Sequence, residues 1–198
     1  MNRRRSLLLL AALPLAARAQ APAPVRLRGT IEALSPTRLT LRQRSGERVE
    51  LALAPGLAVT EVYPVTLGDI HAGSFVGVGA TPQADGTQRA IAVALFPEAM
   101  RGSGEGHYPF DFVPQGTMTN ATVAGVAEAP DGERLQLTYP NGRQTIVVPP
   151  GAPVISFRPG DRGLLAVGGG VSLTAQLVDG QPTATRISAG RNGFTPPY

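Results

Sequence analysis

The chain has 198 residues and is rich in glycine and proline, with 24 and 19 respectively, but contains neither cysteine nor tryptophan. The lack of cysteine excludes disulfides, thiol nucleophiles and thiolate metal sites. The basic residues are all arginine, 18 against 14 acidic residues. Four of them, Arg3, Arg4, Arg5 and Arg18, precede residue 20, so the rest of the chain carries 14 charges of each sign. This balance argues against a nucleic-acid partner, which needs a basic surface.

The first 20 residues have the pattern of an export signal. Arginines at positions 3–5 precede the apolar stretch Leu7–Ala16, and Ala17–Ala19 matches a cleavage site. The apolar stretch is about half of the roughly 20 residues that a transmembrane helix needs, so we expect no membrane span after signal removal. The sequence thus predicts a signal peptide over residues 1–20 and a periplasmic or secreted protein. The pair Arg4-Arg5 leaves both the Sec and the twin-arginine export routes open.

Residues 25–96 have the pattern of short strands joined by tight turns. Leu39 and Leu41 alternate with polar neighbours, as expected for a half-buried strand. A single helical turn is predicted over Leu67–His71, between the fourth and fifth strands. Turn-forming residues separate six predicted strands, namely Val25–Leu34, Arg38–Gln43, Glu47–Leu53, Ala58–Tyr63, Ser74–Thr81 and Arg89–Leu95.

A linker over residues 97–121 concentrates unusual side chains. Its aromatic residues have the spacing of a strand, and two methionines flank them: Tyr108, Phe110, Phe112, Met100 and Met118. The aromatic cluster is interpreted either as a ligand or partner platform or as a clasp that joins two modules. The clasp is favoured, because burying three aromatic side chains is worth several kcal/mol at about 25 cal/mol per Å². Such a clasp would also create a crevice between the modules.

The same linker offers an alternative metal site. Glu105, His107 and Asp111, with His71 from the preceding module, supply the carboxylate and imidazole groups that bind Zn²⁺, Ni²⁺ or Cu²⁺. An enzyme is not expected. Ser103 lies near His107, but the strand-to-helix setting and sequence motif of a nucleophile elbow are missing.

Residues 122–190 repeat the first pattern. Gly29, Leu39, Leu41 and Gly46 recur 96 residues later, which is the signature of a duplicated domain. The strands predicted here are Val123–Glu128, Arg134–Tyr139, Gln144–Val148, Val154–Phe157, Gly170–Val178 and Thr183–Ser188.

The predicted fold is all-β, with two tandem small OB-like antiparallel barrels over residues 25–96 and 122–190. The aromatic-rich linker joins the barrels, and residues 191–198 form a C-terminal tail. A single continuous β-sandwich is the alternative.

The linker sequence also resembles a known family. The segments Met100–Asp111 and Gln115–Val123 are similar to those of exported bacterial proteins of unknown function. The resemblance covers the chain after the signal and implies tandem OB-like barrels. The family pattern has Trp where Phe110 stands. Some members carry labels related to metal transport, which implies a metal-related role.

The sequence therefore predicts a non-enzymatic binding or scaffold module of the cell envelope, without a cofactor, that acts on an envelope protein or a small ligand. Tyr108, Phe110 and Phe112 are the candidate binding residues. The alternative is a periplasmic protein that binds a Cu, Zn or Ni ion through Glu105, His107 and Asp111, with His71 as a further ligand.

Overall fold

The computed structural model describes residues 23–197 as an all-β protein, and the predicted signal peptide over residues 1–20 lies outside this range. The strands are β1 Val25–Leu34, β2 Arg38–Gln43, β3 Arg48–Pro64, β4 Phe75–Pro82, β5 Gln88–Leu95, β6 Gly106–Pro109, β7 Thr117–Ala129, β8 Gly132–Tyr139, β9 Gly142–Val148, β10 Val154–Pro159, β11 Gly170–Val178 and β12 Gln181–Gly190.

Most predicted strands are present, and two differences are informative. The third and fourth predicted strands form one strand, β3, because the ladder with β12 takes up Pro55 and Gly56 in an irregularity between Leu53 and Ala58. Strand β6 lies within the predicted linker and pairs with β7. The predicted helical turn is a 3₁₀ turn over Leu67–Asp69.

Five strands close into a β-barrel. Strands β1, β2 and β3 form an antiparallel meander, and β11 pairs with β1 and with β12. The barrel closes where β12 runs parallel to β3, from Thr183 opposite Ala52 to Gly190 opposite Val62. Its interior holds buried side chains from all five strands, including Leu41, Leu51 and Ile187.

A second circuit of five strands follows the same plan. Strands β7, β8 and β9 form a meander, and β4 pairs with β7 and with β5. The circuit returns through a short parallel ladder, with Gln88 of β5 opposite Ile146 of β9 and Arg89 opposite Val147. Leu135 and Leu137 lie in its buried interior, at the positions that repeat Leu39 and Leu41.

Each circuit contains strands from both predicted repeats. The first barrel combines β1–β3 with β11 and β12 from the second repeat, and the second circuit combines β7–β9 with β4 and β5 from the first. The predicted barrels over 25–96 and 122–190 differ from this arrangement, because β4 and β5 pair outside their own repeat. The last two strands of each predicted repeat thus pair with the three-strand meander of the other.

Each of the two 3₁₀ turns next to these hairpins also packs into the core of the unit formed with the other predicted repeat. Ile70, next to the turn Leu67–Asp69 of the first repeat, belongs to the core of the second circuit. Leu164 and Leu165, at the turn Arg162–Leu164 of the second repeat, belong to the core of the first barrel. Each turn therefore packs with the hairpin that follows it in sequence.

Strand β10 joins the two units. It pairs antiparallel with the end of β3 and parallel with β5. Beside it, Glu61 of β3 is 3 % exposed and accepts hydrogen bonds from Arg158 of β10 and from Arg191, which follows β12. These two guanidinium groups, Arg158 first, hold the pKa of Glu61 at about 2. One buried carboxylate therefore ties together the segments at the junction.

Within residues 23–197, no helix is long and apolar enough to cross a membrane.

Candidate functional site

A crevice of about 320 Å³ lies where the first barrel, the second circuit and residues 97–121 meet. One wall comes from the outer face of β1, β11 and β12. The opposite wall comes from β4–β7 and the residues beside them. Between the walls the crevice is lined by Val62, Ala94 and Ile155, which also form the small buried cluster between the two units.

The barrel wall is basic and rich in hydroxyl groups. Strand register places Thr174 of β11 directly opposite both Arg26 of β1 and Arg186 of β12. Residues directly opposite one another in a ladder have Cβ atoms about 5 Å apart on the same face, so the two arginines flank the threonine. Both arginines are exposed, and neither forms an ion pair with another described residue.

The next row of this wall contains Arg28, Ser172 and Ser188. The Arg28 side chain is 15 % exposed, and its Nη2 donates to Asp111 Oδ1 at 3.1 Å. No acidic side chain is among the described residues that line the crevice. The barrel wall therefore presents a positive potential that is only partly compensated, by Asp111 at Arg28.

The opposite wall is aromatic. The Phe96 ring stacks on Phe157, with ring centroids 5.5 Å apart, and contacts Phe75 in a tilted arrangement at 5.6 Å. Phe96 and Phe157 line the crevice with four side chains of the predicted linker, namely Met100, Tyr108, Phe110 and Met118. This wall supplies polarisable, apolar surface directly across from the arginines.

Asn120 is a buried polar residue in the aromatic wall. Its side-chain amide donates to the Ser103 carbonyl at 3.0 Å and to Tyr108 Oη at 3.2 Å, whereas its Oδ1 has no donor among the described residues. A Cβ on the facing Gly77 would lie 2.7 Å from Oδ1 and 2.8 Å from the Phe96 ring. Only glycine therefore allows these two side chains to approach the sheet so closely.

The predicted binding residues are divided between two places. Tyr108 and Phe110 line the crevice, but Phe112 lies next to it, in a smaller surface depression with Arg26, Arg28 and Arg44. The Arg28 guanidinium lies 5.2 Å from the Phe110 ring centroid, and that of Arg44 lies 5.1 Å from Phe112. The linker thus contacts the first barrel through arginine–aromatic stacking, while β6 pairs with the second circuit.

The predicted metal ligands do not converge. Asp111 binds Arg28, and His107 shares a hydrogen bond of 2.8 Å between its Nδ1 and Thr119 Oγ1. Burial lowers the pKa of His107, which favours the neutral ring. Glu105 is exposed, and His71 is an exposed residue following the 3₁₀ turn. Within residues 23–197, no group of three or more His, Asp or Glu side chains is arranged to hold a metal ion.

The C-terminal segment, predicted as a tail, contributes to the junction. Phe194 packs against the buried cluster between the two units, and Pro196 lines the crevice. Arg191 reaches Glu61 with Nη2 2.9 Å from Oε2. The segment is therefore bound to the junction through both packing and an ion pair.

A wider groove of about 670 Å³ lies on another side of the junction. The loop over residues 149–153, with its three prolines, forms much of it, together with residues 64–67 and the start of β8. Its charged lining residues are Glu128 and Glu133. The crevice is the better candidate, because it combines charge, aromatic surface and a buried amide.

Sequence reasoning did not identify several crevice residues, namely Arg26, Arg186, Asn120, Phe96 and Phe157. Arg26 and Arg186 come together only through the exchanged pairing of β1, β11 and β12. The one available signal was local: an asparagine within an otherwise apolar and threonine-rich strand, at position 120 of β7, is unusual in a strand interior.

In comparisons with known proteins, no family model, no curated protein and no solved structure matches this chain significantly.

Proposed function

We propose that this protein is a non-enzymatic binding module of the cell envelope and that the crevice between its two β-units receives a small ligand. The observation that carries this proposal is the pairing of the arginine and hydroxyl wall with the aromatic wall across about 320 Å³. Small-molecule sites are typically concave and apolar, with a few polar groups that fix orientation. The titratable side chains of the crevice are arginines and Tyr108, which suits binding rather than proton transfer.

The proposed function also involves the form of the two circuits and the role of residues 97–121. We interpret both circuits as OB-like barrels, in which a three-strand meander is completed by a hairpin from the other repeat. We further interpret residues 97–121 as a clasp. Phe110 and Phe112 stack on arginines of the first barrel while β6 pairs with the second circuit, which supports that role. The clasp would fix the width of the crevice.

The location in the envelope depends on residues 1–20 alone, whose sequence has the charged, apolar and small-residue regions of an export signal. A periplasmic or secreted protein meets small molecules and envelope proteins alike. The crevice favours the small ligand, because it encloses a volume between two walls rather than presenting a flat surface.

Binding can be tested with a neutral fluorescent probe. N-phenyl-1-naphthylamine fluoresces when it enters an apolar site, and we expect one saturable site per chain. The half-buried Ser188 lies in the barrel wall, so Ser188→Trp would fill the crevice and abolish this binding. Thr138→Trp, on the exposed face of β8 outside the crevice, is the matched control and should bind as the native protein does.

The proposal would be wrong if the folded native protein showed no saturable probe binding. It would also be wrong if Ser188→Trp and Thr138→Trp bound the probe equally, because the probe would then occupy another surface. Capture of an envelope protein at the crevice, with no small-molecule binding, would replace the ligand by a protein partner.

A further inference from the structure

We propose that the ligand of this crevice is a small amphipathic organic anion. Its carboxylate, sulfonate or phosphate group would bind at Arg26 and Arg186, and its apolar body would lie against Phe96 and Phe157. This inference depends on the proposed binding function and adds the chemical class of the ligand and its orientation.

The charge pattern of the barrel wall is the first argument. Arg26 and Arg186 stand on either side of Thr174 on one face of three neighbouring strands. Their strands are separated only by β11, so the two backbones lie roughly 10 Å apart, and a carboxylate placed over Thr174 could reach both guanidinium groups. The described lining of the crevice provides no such carboxylate. An anion between the two guanidinium groups would supply it and could also accept a hydrogen bond from the threonine hydroxyl.

The contrast with the other arginines strengthens this argument. Arg38, Arg42 and Arg48 also lie on the exposed face of the first barrel, and each is paired with a glutamate of that barrel. Arg158 and Arg191 share Glu61 at the junction. Among the described residues, these arginines of the first barrel and the junction have an acidic partner, whereas Arg26 and Arg186 at the crevice have none; Arg44, which stacks on Phe112, has none either.

The aromatic wall and the volume of the crevice indicate the size and character of the apolar body of the ligand. Phe96 and Phe157 have ring centroids 5.5 Å apart in a stacked arrangement, and together with Ile155 they give this side of the crevice an apolar lining. A volume of about 320 Å³ is at the small end of ligand sites. It suits an aromatic acid or a short acyl chain with one acidic group, and it is too small for a lipid with two long chains.

A pair of probes separates the anionic group from the apolar body. 8-Anilinonaphthalene-1-sulfonate carries a sulfonate on the same ring system that N-phenyl-1-naphthylamine presents without charge. We expect the sulfonate to bind the native protein about tenfold more tightly, the size of effect that a charge-assisted hydrogen bond supplies. Its affinity should also fall as salt is added, whereas that of the neutral probe should not.

Two double variants provide the structural test. In Arg26→Ser/Arg186→Ser we expect the preference for the sulfonate to be lost, with the neutral probe still bound. The matched control is Arg89→Ser/Arg143→Ser, which removes two exposed arginines on β5 and β9, outside the crevice. Neither of them forms an ion pair with another residue of the range 23–197. The control should retain the preference of the native protein.

The outcomes distinguish this inference from the function it depends on. If the neutral probe binds at the crevice but the sulfonate is not preferred, or if both double variants retain the preference, the anionic ligand is wrong while the binding function stands. If neither probe binds, the binding function itself fails. If the crevice variant does not fold, the salt dependence of the two probes on the native protein decides the question.

Discussion

The two circuits close through different ladders, although the segments that form these ladders occupy corresponding places in the predicted repeats. In the first barrel, β12 lies along the single continuous strand β3. In the second circuit, the equivalent partner of β5 is divided between β9 and β10 by a loop over residues 149–153. Proline has no N–H to donate and breaks a ladder. The first repeat has one proline at this place, Pro55, and the second has Pro149, Pro150 and Pro153.

Because of this loop, the first barrel closes with one long ladder, whereas the ladder along β5 in the second circuit is interrupted. The first barrel closes through β3 alone, which supplies the whole ladder to β12. The second circuit closes with the help of β10, which is also bonded to β3 of the first barrel. The strand β10 is therefore hydrogen-bonded to both units, and the junction is part of both.

The largest expected effect concerns the exchanged strands. A protease site inserted between Gly102 and Ser103 would separate residues before β6 from those after it. Because each circuit needs strands from both sides of the cut, the two fragments should stay together and elute at the mass of the intact protein. Two independent tandem barrels would come apart instead. In denaturant the fragments must separate, which verifies that cleavage was complete.

Equivalent core positions give the next prediction. Leu41 in the first barrel and Leu137 in the second circuit are both fully buried and 96 residues apart. Leu41→Ala and Leu137→Ala should each lower the free energy of unfolding by about 2–5 kcal/mol, through lost burial and an internal cavity. Since the units share strands, we expect a single calorimetric transition that shifts as a whole in both variants. Two transitions, of which only one moves, would contradict the coupling.

Acid should weaken the junction through Glu61. Its folded pKa of about 2 is below its ordinary value of 4.5, so the stabilisation is complete above pH 4.5 and is lost as the pH falls towards 2. Glu61→Gln should therefore be less stable at neutral pH and lose less stability on acidification than the native protein. Glu50→Gln is the control, because its carboxylate is 70 % exposed in a surface pair. Chemical denaturation at a series of pH values measures both effects, and parallel pH profiles for Glu61→Gln and the native protein would contradict the junction's role.

The smallest expected effect concerns the linker. Phe110→Ala removes the ring beneath Arg28 and should lower the free energy of unfolding by about 1 kcal/mol, the value of a partly exposed cation–π contact. Limited proteolysis around residues 102–116 should become faster. Phe110→Trp should retain the stability, since tryptophan is the best aromatic partner for a cation. Unchanged stability and proteolysis in Phe110→Ala would mean that the linker does not act as a clasp.

The strands could be predicted because their signals are local. The bounds of β1 and β2 match the prediction, since alternating side chains and turn residues act within a few positions. β6 was missed because Pro109 and the glycines before it conceal the strand pattern of His107 and Tyr108.

The candidate site was only partly predictable. Tyr108 and Phe110 stand out as an aromatic cluster, whereas Arg26 and Arg186 look like ordinary surface residues of distant strands.

The sequence by itself determined that the protein is all-β. It also predicts a duplicated pattern, with unusual side chains gathered between the two copies. Only the tertiary structure decided which hairpin completes which meander. The physical reason lies in the similarity of the two hairpins. Because β4–β5 and β11–β12 occupy corresponding places in the two predicted repeats, either hairpin offers similar edges and apolar faces to either meander. Local sequence cannot distinguish these partners, and the connections and packing at the junction make the choice that creates the crevice.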